Sequence, residues 1–190
     1  MKDRIERFLA DLDRILVGRA FGQVLNVYHI GRSALVWEYD YTATTQDFDI
    51  LRPKGGAELL HFALQQFGKG TAKATEHGLY LEVVEDAFPP MPAGYERRAR
   101  PVQGAWEVLR IFRLDPHDLA ASKLRRFAAK DRADIRLLCD LGHIEPERLE
   151  TLLEKAYLWS MEKDGDEYRD NAFESLRIVQ RYLRGEISEF

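Results

Sequence analysis

The sequence predicts an α/β fold of the α+β kind, with a mixed sheet and flanking helices followed by a helical C-terminal half. Three observations predict it. Short β-branched and aromatic segments occur in the first part of the chain, helical apolar spacing alternates with them, and from Asp115 onward only the helical spacing remains. We therefore expect an α/β core over residues 1–113 and a helical region over residues 114–190 that packs on it.

The elements of the core follow from apolar spacing and from the turn residues between them. Helical spacing from Ile5 to Leu16 predicts an amphipathic first helix, and a β-branched run that stops at Gly31 predicts the first strand. The expected elements are a helix near residues 5–16, strands over 24–30 and 45–51, helices over 33–39 and 58–67, a hairpin of strands over 71–75 and 79–84, and a strand over 106–113.

Prolines organise the rest of the chain. Four of them lie between residues 85 and 104, where fixed φ angles and missing donors predict a long ordered loop without regular structure. Farther on, Asp-Pro and Glu-Pro pairs suit helix starts because proline fits the first helical turn. Helix starts are expected at residues 115–116, 130–131 and 145–146, and near Asn171.

The charge balance limits the range of partners. A formal net charge of −4 gives no general attraction to DNA, RNA or an anionic membrane, so a polyanion would need a local basic patch. The candidates for such a patch are Arg97, Arg98, Arg100, Arg110 and Arg113. Glutamates interleave with them, which also suits an ordinary solvated face.

Cys139 and the hydropathy pattern indicate which cellular compartment to expect. The single cysteine cannot form an internal disulfide and lies in an apolar helical pattern, so we expect a buried thiol and a reducing, cytoplasmic environment. No apolar stretch is long enough to span a membrane, and no membrane partner is expected. The five histidines lack a metal-binding spacing and are assigned no site.

Asp47 and Asp49 are the first candidates for chemistry. They alternate with Phe48 and Ile50 on a predicted strand, so both carboxylates leave one face, with backbones roughly 6.5–7 Å apart. That spacing lets them converge on Mg²⁺, which prefers oxygen ligands and is commonly completed by substrate phosphates. A Gly31 turn into a helix would offer backbone N–H groups to such phosphates. Taken alone, an Asp-x-Asp strand is more often an exposed acidic face.

The order of these features is more specific than either feature alone. Gly31-Arg32-Ser33-Ala34, followed about a dozen residues later by Thr44-Thr45-Gln46-Asp47-Phe48-Asp49-Ile50, resembles the polymerase-beta-like nucleotidyltransferase superfamily. More narrowly, it resembles the small prokaryotic branch that contains abortive-infection toxins and nucleotidyltransferase-type antitoxins. The resemblance continues through segments 88–95, 114–124 and 130–135 and covers roughly residues 20–155.

The resemblance implies a nucleoside triphosphate, two Mg²⁺ ions and a third carboxylate on a later strand. That carboxylate would ligate one metal and help deprotonate the acceptor hydroxyl. Glu82 is the candidate, with Glu85 and Asp86 as rivals, and the alternative for Glu82 is an ordinary exposed strand residue. The resemblance also implies that the nucleotide phosphates lie at Gly31, Arg32 and Ser33.

Two positions depart from the family pattern. Arg32 replaces the usual second small residue of the turn, and Ala43 stands where relatives often carry arginine. Arg32 would either obstruct the nucleotide or supply the missing positive charge, and the sequence leaves both alternatives open.

Lys123 lies inside the apolar stripe of its predicted helix, and a charge there needs a partner. One alternative is an ion pair with Asp131 or Asp134 of the next helix. The other, implied by the resemblance, is that the Lys123 ammonium binds the triphosphate.

Two functions from different classes remain open. The first is a Mg²⁺-dependent nucleotidyltransferase that moves a nucleoside monophosphate from a nucleoside triphosphate to a hydroxyl of a protein or RNA acceptor, with the acidic balance favouring protein and no DNA partner expected. The second is a catalytically inactive binding module with the same fold, an antitoxin-like partner of a toxin protein. Arg32, Ala43 and the open identity of the third carboxylate motivate the second.

Overall fold

The computed structural model describes residues 1–39, 41–85, 91–158 and 165–190. The chain divides into two compact units, one formed by residues 1–85 and 99–114 and the other by residues 86–98 and 115–190. The first carries a mixed sheet with helices and the second is helical. The predicted α+β class is therefore confirmed.

The sheet of the first unit combines parallel and antiparallel pairs. Its strands are β1 (Leu25–Ile30), β2 (Asp47–Leu51), β3 (Tyr80–Val84), β4 (Arg100–Pro101) and β5 (Leu109–Arg113). Their order is β3-β2-β1-β5-β4. β1 pairs antiparallel with β2 and parallel with β5, β2 pairs parallel with β3, and β4 pairs antiparallel with β5.

One face of this sheet is apolar and forms the core of the first unit. The helices of the unit are α1 (Lys2–Ala20), α2 (Gly31–Tyr39), α3 (Ala57–Phe67) and α4 (Ala72–His77). Phe8 of α1 is fully buried and packs against Phe48 of β2 and Phe67 of α3, with ring centroids 5.7 and 5.3 Å apart. Alternation along β2 then places Asp47 and Asp49 on the opposite face of the sheet.

The hairpin predicted over residues 71–84 is wrong. Thr71 caps α4, because its hydroxyl accepts a hydrogen bond from the Ala74 N–H at 3.1 Å, and the segment after it is helical. β3 then runs parallel to β2, with α3 and α4 between them in the chain. A short run of threonine and alanine is compatible with either a strand or a helix. In this segment the Thr71 cap stabilises the helix.

The strand predicted from Trp106 begins only at Leu109. Asp13 of α1 explains the difference: its buried carboxylate accepts hydrogen bonds from the N–H groups of Glu107, Val108 and Leu109, at 2.8 to 2.9 Å. Backbone donors that are satisfied by a carboxylate do not need a strand partner.

The second unit contains α5 (Tyr95–Arg98), α6 (Pro116–Leu124), α7 (Ala129–Asp140), α8 (Pro146–Tyr157) and α9 (Gly165–Leu183). The expected starts of α6, α7 and α8 are confirmed to within one residue. The start expected near Asn171 is wrong, since the chain is already helical at Gly165. The proline-rich loop is also interrupted, by α5 and by the short β4, whereas residues 86–90 lie outside the described range.

Cys139 is a free, buried thiol in α7, as expected, and burial raises its pKa to about 12. Among the described helices, none combines the length and apolar character that crossing a membrane requires.

Candidate functional site

Three carboxylates from two adjacent strands come together on the polar face of the sheet. Asp49 and Glu82 are register partners across the parallel β2–β3 pair, and Asp47 precedes Asp49 by two residues. Each of the three offers an oxygen that lies within 4.8 Å of the others. Asp47 and Asp49 are half-buried and Glu82 is exposed, so the cluster is open to solvent on one side.

Of the two candidates for the third carboxylate that the structure describes, Glu82 is the one that lies beside the aspartates. Its rival Glu85 is hydrogen-bonded to the Arg52 guanidinium at 2.7 Å, and Asp86 lies outside the described residues. The role of the three carboxylates as metal ligands and catalytic groups stays a prediction.

Gly31 makes room for one of these carboxylates. It follows Ile30, the register partner of Asp49, and opens α2 with φ +78°, in the left-handed region. A Cβ built on Gly31 would lie 2.9 Å from Asp49 Cγ and closer still to its Oδ2. Glycine is therefore required twice, for its backbone conformation and for the close approach of the carboxylate.

Gly31→Ala is expected to damage both stability and the site. The left-handed conformation costs an L-residue about 1–2 kcal/mol, and the added methyl group would displace the Asp49 side chain. We expect a lower melting temperature together with the loss of Mg²⁺-dependent nucleotide binding. Gly70→Ala is the matched control, because Gly70 has a similar φ of +84° but open space around its Cβ position. Equal loss of nucleotide affinity in the two variants would contradict the contact with Asp49.

Asp47 is hydrogen-bonded to Thr45, a residue whose place in the site no sequence pattern predicted. The hydroxyl of the buried Thr45 donates a hydrogen bond to Asp47 Oδ1. Arg4 of α1 donates in turn to the Thr45 carbonyl oxygen at 2.6 Å. Arg4 is 41 residues away in the chain, so no local pattern could have indicated this support.

Tyr80 lies beside the three carboxylates. It is the register partner of Asp47 on the same face of the sheet. Burial, together with the charges of Glu82, Asp47 and Asp49, raises the pKa of its hydroxyl above the ordinary value, and that hydroxyl bonds to Glu82. The three carboxylate oxygens, which lie close together, fit the ligand preference of Mg²⁺.

A second cluster with potential metal ligands has a different character. Asp11, Glu76 and His77 also come within 4.8 Å of one another. However, the Lys73 ammonium lies 2.8 Å from carboxylate oxygens of both Asp11 and Glu76, and His77 contacts Asp11 at 3.1 Å. Because a protein cation already neutralises this cluster, it is an ion-pair network that joins α1 to α4.

The three residues of the glycine turn differ in their surroundings. Gly31 and Arg32 are half-buried, and the Arg32 guanidinium lies over the ring of Tyr41, 5.9 Å from its centroid. Ser33 is fully buried, and its Oγ lies 2.9 Å from Nε2 of the buried His29. The Ser33 hydroxyl is therefore engaged in the interior of the unit. Nucleotide binding by these residues stays a prediction.

Lys123 lies in the second unit and forms the expected ion pair. Its ammonium is 2.9 Å from Asp134 Oδ2, and both residues are buried. Asp131, the other candidate partner, instead bonds the Arg126 guanidinium at 2.6 and 2.7 Å and caps the start of α7. The pairing alternative is confirmed, with Asp134 as the partner, while a contact with triphosphate stays a prediction.

Most of the suggested basic patch is engaged within the protein. Arg98 binds Asp118 in the second unit, with nitrogen–oxygen distances of 2.7 and 2.9 Å. In the first unit Arg113 pairs with Glu38, and Arg110 donates to backbone carbonyls. Because these arginine side chains already have partners within the protein, the arginines are better explained as part of an ordinary charged surface than as a binding site for a polyanion.

The sheet order, the glycine turn and the paired aspartates define a nucleotidyltransferase-like α+β protein. Comparison with known families agrees: residues 4–182 match the family described as nucleotidyltransferase of unknown function (DUF6036), and the chain belongs to that family. The family description names no substrate. It also does not extend to the toxin and antitoxin branch that the motifs suggest. No curated protein and no solved structure matches the chain.

Proposed function

We propose that the protein is a Mg²⁺-dependent enzyme that moves a nucleoside monophosphate from a nucleoside triphosphate to a hydroxyl group. The observation that carries the proposal is the convergence of the Asp47, Asp49 and Glu82 carboxylates within 4.8 Å, beside the Gly31 turn, whose positive φ and close approach to Asp49 favour glycine. Membership of a nucleotidyltransferase family supports the general reaction.

The three carboxylates would hold the Mg²⁺ ions, of which two are expected with bound nucleotide. When bound, the ions neutralise the charge that develops on the triphosphate. Glu82 is the most exposed of the three and is suited to accept the proton of the acceptor hydroxyl. In the transfer, the acceptor oxygen forms a bond to the α-phosphorus while the bond from that phosphorus to pyrophosphate breaks.

Arg32 has a defined part in this proposal. Its guanidinium lies half-buried directly after Gly31, where it would supply positive charge to the triphosphate in place of the arginine that is absent at Ala43. The acceptor we propose is a protein or RNA hydroxyl. The net charge of −4 and the internal use of Arg98, Arg110 and Arg113 favour protein.

Calorimetry tests the proposal on the full chain. Titration with each of the four nucleoside triphosphates is expected to show binding in the presence of Mg²⁺ and little or none in EDTA. Asp3→Asn with Glu58→Gln removes two exposed charges of the first unit outside the cluster and serves as a control with unchanged affinity. Absence of binding at millimolar nucleotide would contradict the enzyme and favour the inactive, antitoxin-like binding module.

A further inference from the structure

A buried histidine on the core side of the sheet contacts a neighbour of each half of the candidate site. His29 of β1 is 1% exposed. Its Nε2 lies 2.9 Å from the Oγ of Ser33, which is in the first turn of α2, two residues after Gly31. Its ring also stacks on Phe48, with centroids 4.0 Å apart and an interplanar angle of 21°. Phe48 separates the two aspartates on β2.

Packing alone does not explain an imidazole at this position. The other inward residues of β1, Leu25 and Val27, are aliphatic, and the cross-strand partner of His29 is Ile50. Burying a polar ring costs free energy unless it has a hydrogen-bond partner. Ser33, 0% exposed, provides that partner, and burial lowers the pKa of His29 to about 3, so the ring is neutral at neutral pH. The polar contact therefore joins β1 to the first turn of α2 through uncharged groups.

We propose that His29 is a positioning residue of the nucleotide site. Through Ser33 it fixes the turn that carries Gly31 and Arg32, and through Phe48 it fixes the strand that carries the carboxylates. Ser33 then acts by holding this turn, with its hydroxyl directed to the interior. This inference rests on the proposed function, because the geometry that His29 holds matters only if nucleotide and metal bind there. Sites of this kind need ligands held to within about 0.5 Å, which requires support from the surrounding side chains.

The experiment compares variants that remove the hydrogen bond with one that keeps it. His29→Leu and Ser33→Ala each delete the contact, whereas His29→Gln retains an amide group near the position of Nε2. Mg²⁺-dependent triphosphate affinity is measured by calorimetry and melting temperature by scanning calorimetry. We expect about tenfold weaker binding for His29→Leu and Ser33→Ala. We also expect substantial retention of affinity in His29→Gln and no further loss in the double variant His29→Leu/Ser33→Ala.

Val27→Ala is the control for a purely structural effect. Val27 is buried on the same strand and the same face, so its truncation lowers the melting temperature through a cavity and should leave the nucleotide affinity unchanged. The inference is overturned if His29→Leu and Ser33→Ala bind as the wild type does. It is also overturned if Val27→Ala weakens nucleotide binding as much as these two variants do, or if His29→Gln is as weak as His29→Leu. If the wild type itself binds no nucleotide with Mg²⁺, the proposed function fails first, and the inference fails with it.

Discussion

Replacing Asp47 and Asp49 together by asparagine should abolish Mg²⁺-dependent nucleotide binding and leave the fold intact or slightly more stable. Both side chains lie on the polar face of β2, opposite the buried Phe48 and Ile50, so the core does not need them. Asparagine also keeps an oxygen that can accept the hydrogen bond donated by the Thr45 hydroxyl to Asp47.

The expected loss of binding is electrostatic. Oxygens of Asp47, Asp49 and Glu82 lie within 4.8 Å of one another, and like charges at that distance repel in the absence of a cation. Removing two of the three relieves this repulsion and also removes the anionic oxygens that attract Mg²⁺. The triphosphate would then lose its bridging ions.

The double variant is tested by paired measurements of melting temperature and of nucleotide affinity with Mg²⁺ and with EDTA. The control is Asp3→Asn with Glu58→Gln, which removes the same amount of charge from exposed positions. A double variant that unfolds, or that binds Mg²⁺ and nucleotide as tightly as the wild type, would show that the aspartates are structural or ordinary surface residues. The enzyme proposal would fall with that result.

Replacing Lys123 by methionine should destabilise the second unit strongly. The Lys123 ammonium is 2.9 Å from Asp134 Oδ2, and Asp134 is only 1% exposed. Methionine preserves the aliphatic volume but leaves the buried carboxylate without the ammonium. Breaking a buried ion pair typically costs about 3–5 kcal/mol, which corresponds to a fall in melting temperature of about 10 °C or more.

Two further variants separate pairing from a general effect of lysine loss. Lys155→Met removes an exposed charge from α8 and should leave the melting temperature nearly unchanged. Lys123→Met combined with Asp134→Leu removes both charges and should recover most of the stability, since a buried pair can often be replaced by apolar residues. If Lys123→Met melts as the wild type does while its triphosphate affinity drops, the nucleotide role implied by the resemblance would be supported instead.

Local patterns in the sequence determined most of the elements and the main candidate site. The two-residue period of β2 places Asp47 and Asp49 on one face wherever that strand lies, and Gly31 marks the turn because few other residues accept a positive φ. The helix starts at Asp115-Pro116 and Glu145-Pro146 also depend on local geometry. Proline fits the first turn of both helices, and the Asp115 side chain in addition caps the first of them. The need of Lys123 for a partner followed from its helical stripe.

Tertiary structure decided everything that depended on contacts between distant segments. Glu82 joined the aspartates only because β3 pairs parallel to β2 in one register, and a shift by one residue would have placed it on the other face. Asp13 of α1 binds the backbone N–H groups just before β5, so that strand begins later than predicted. Thr71 caps a helix where a strand was predicted, and Arg4 hydrogen-bonds to the carbonyl of Thr45, 41 residues away. The contacts of His29 with Ser33 and Phe48 required both the β1–β2 pairing and the first turn of α2. A sequence fixes local preferences directly, whereas register and side-chain partners emerge only when the whole core packs.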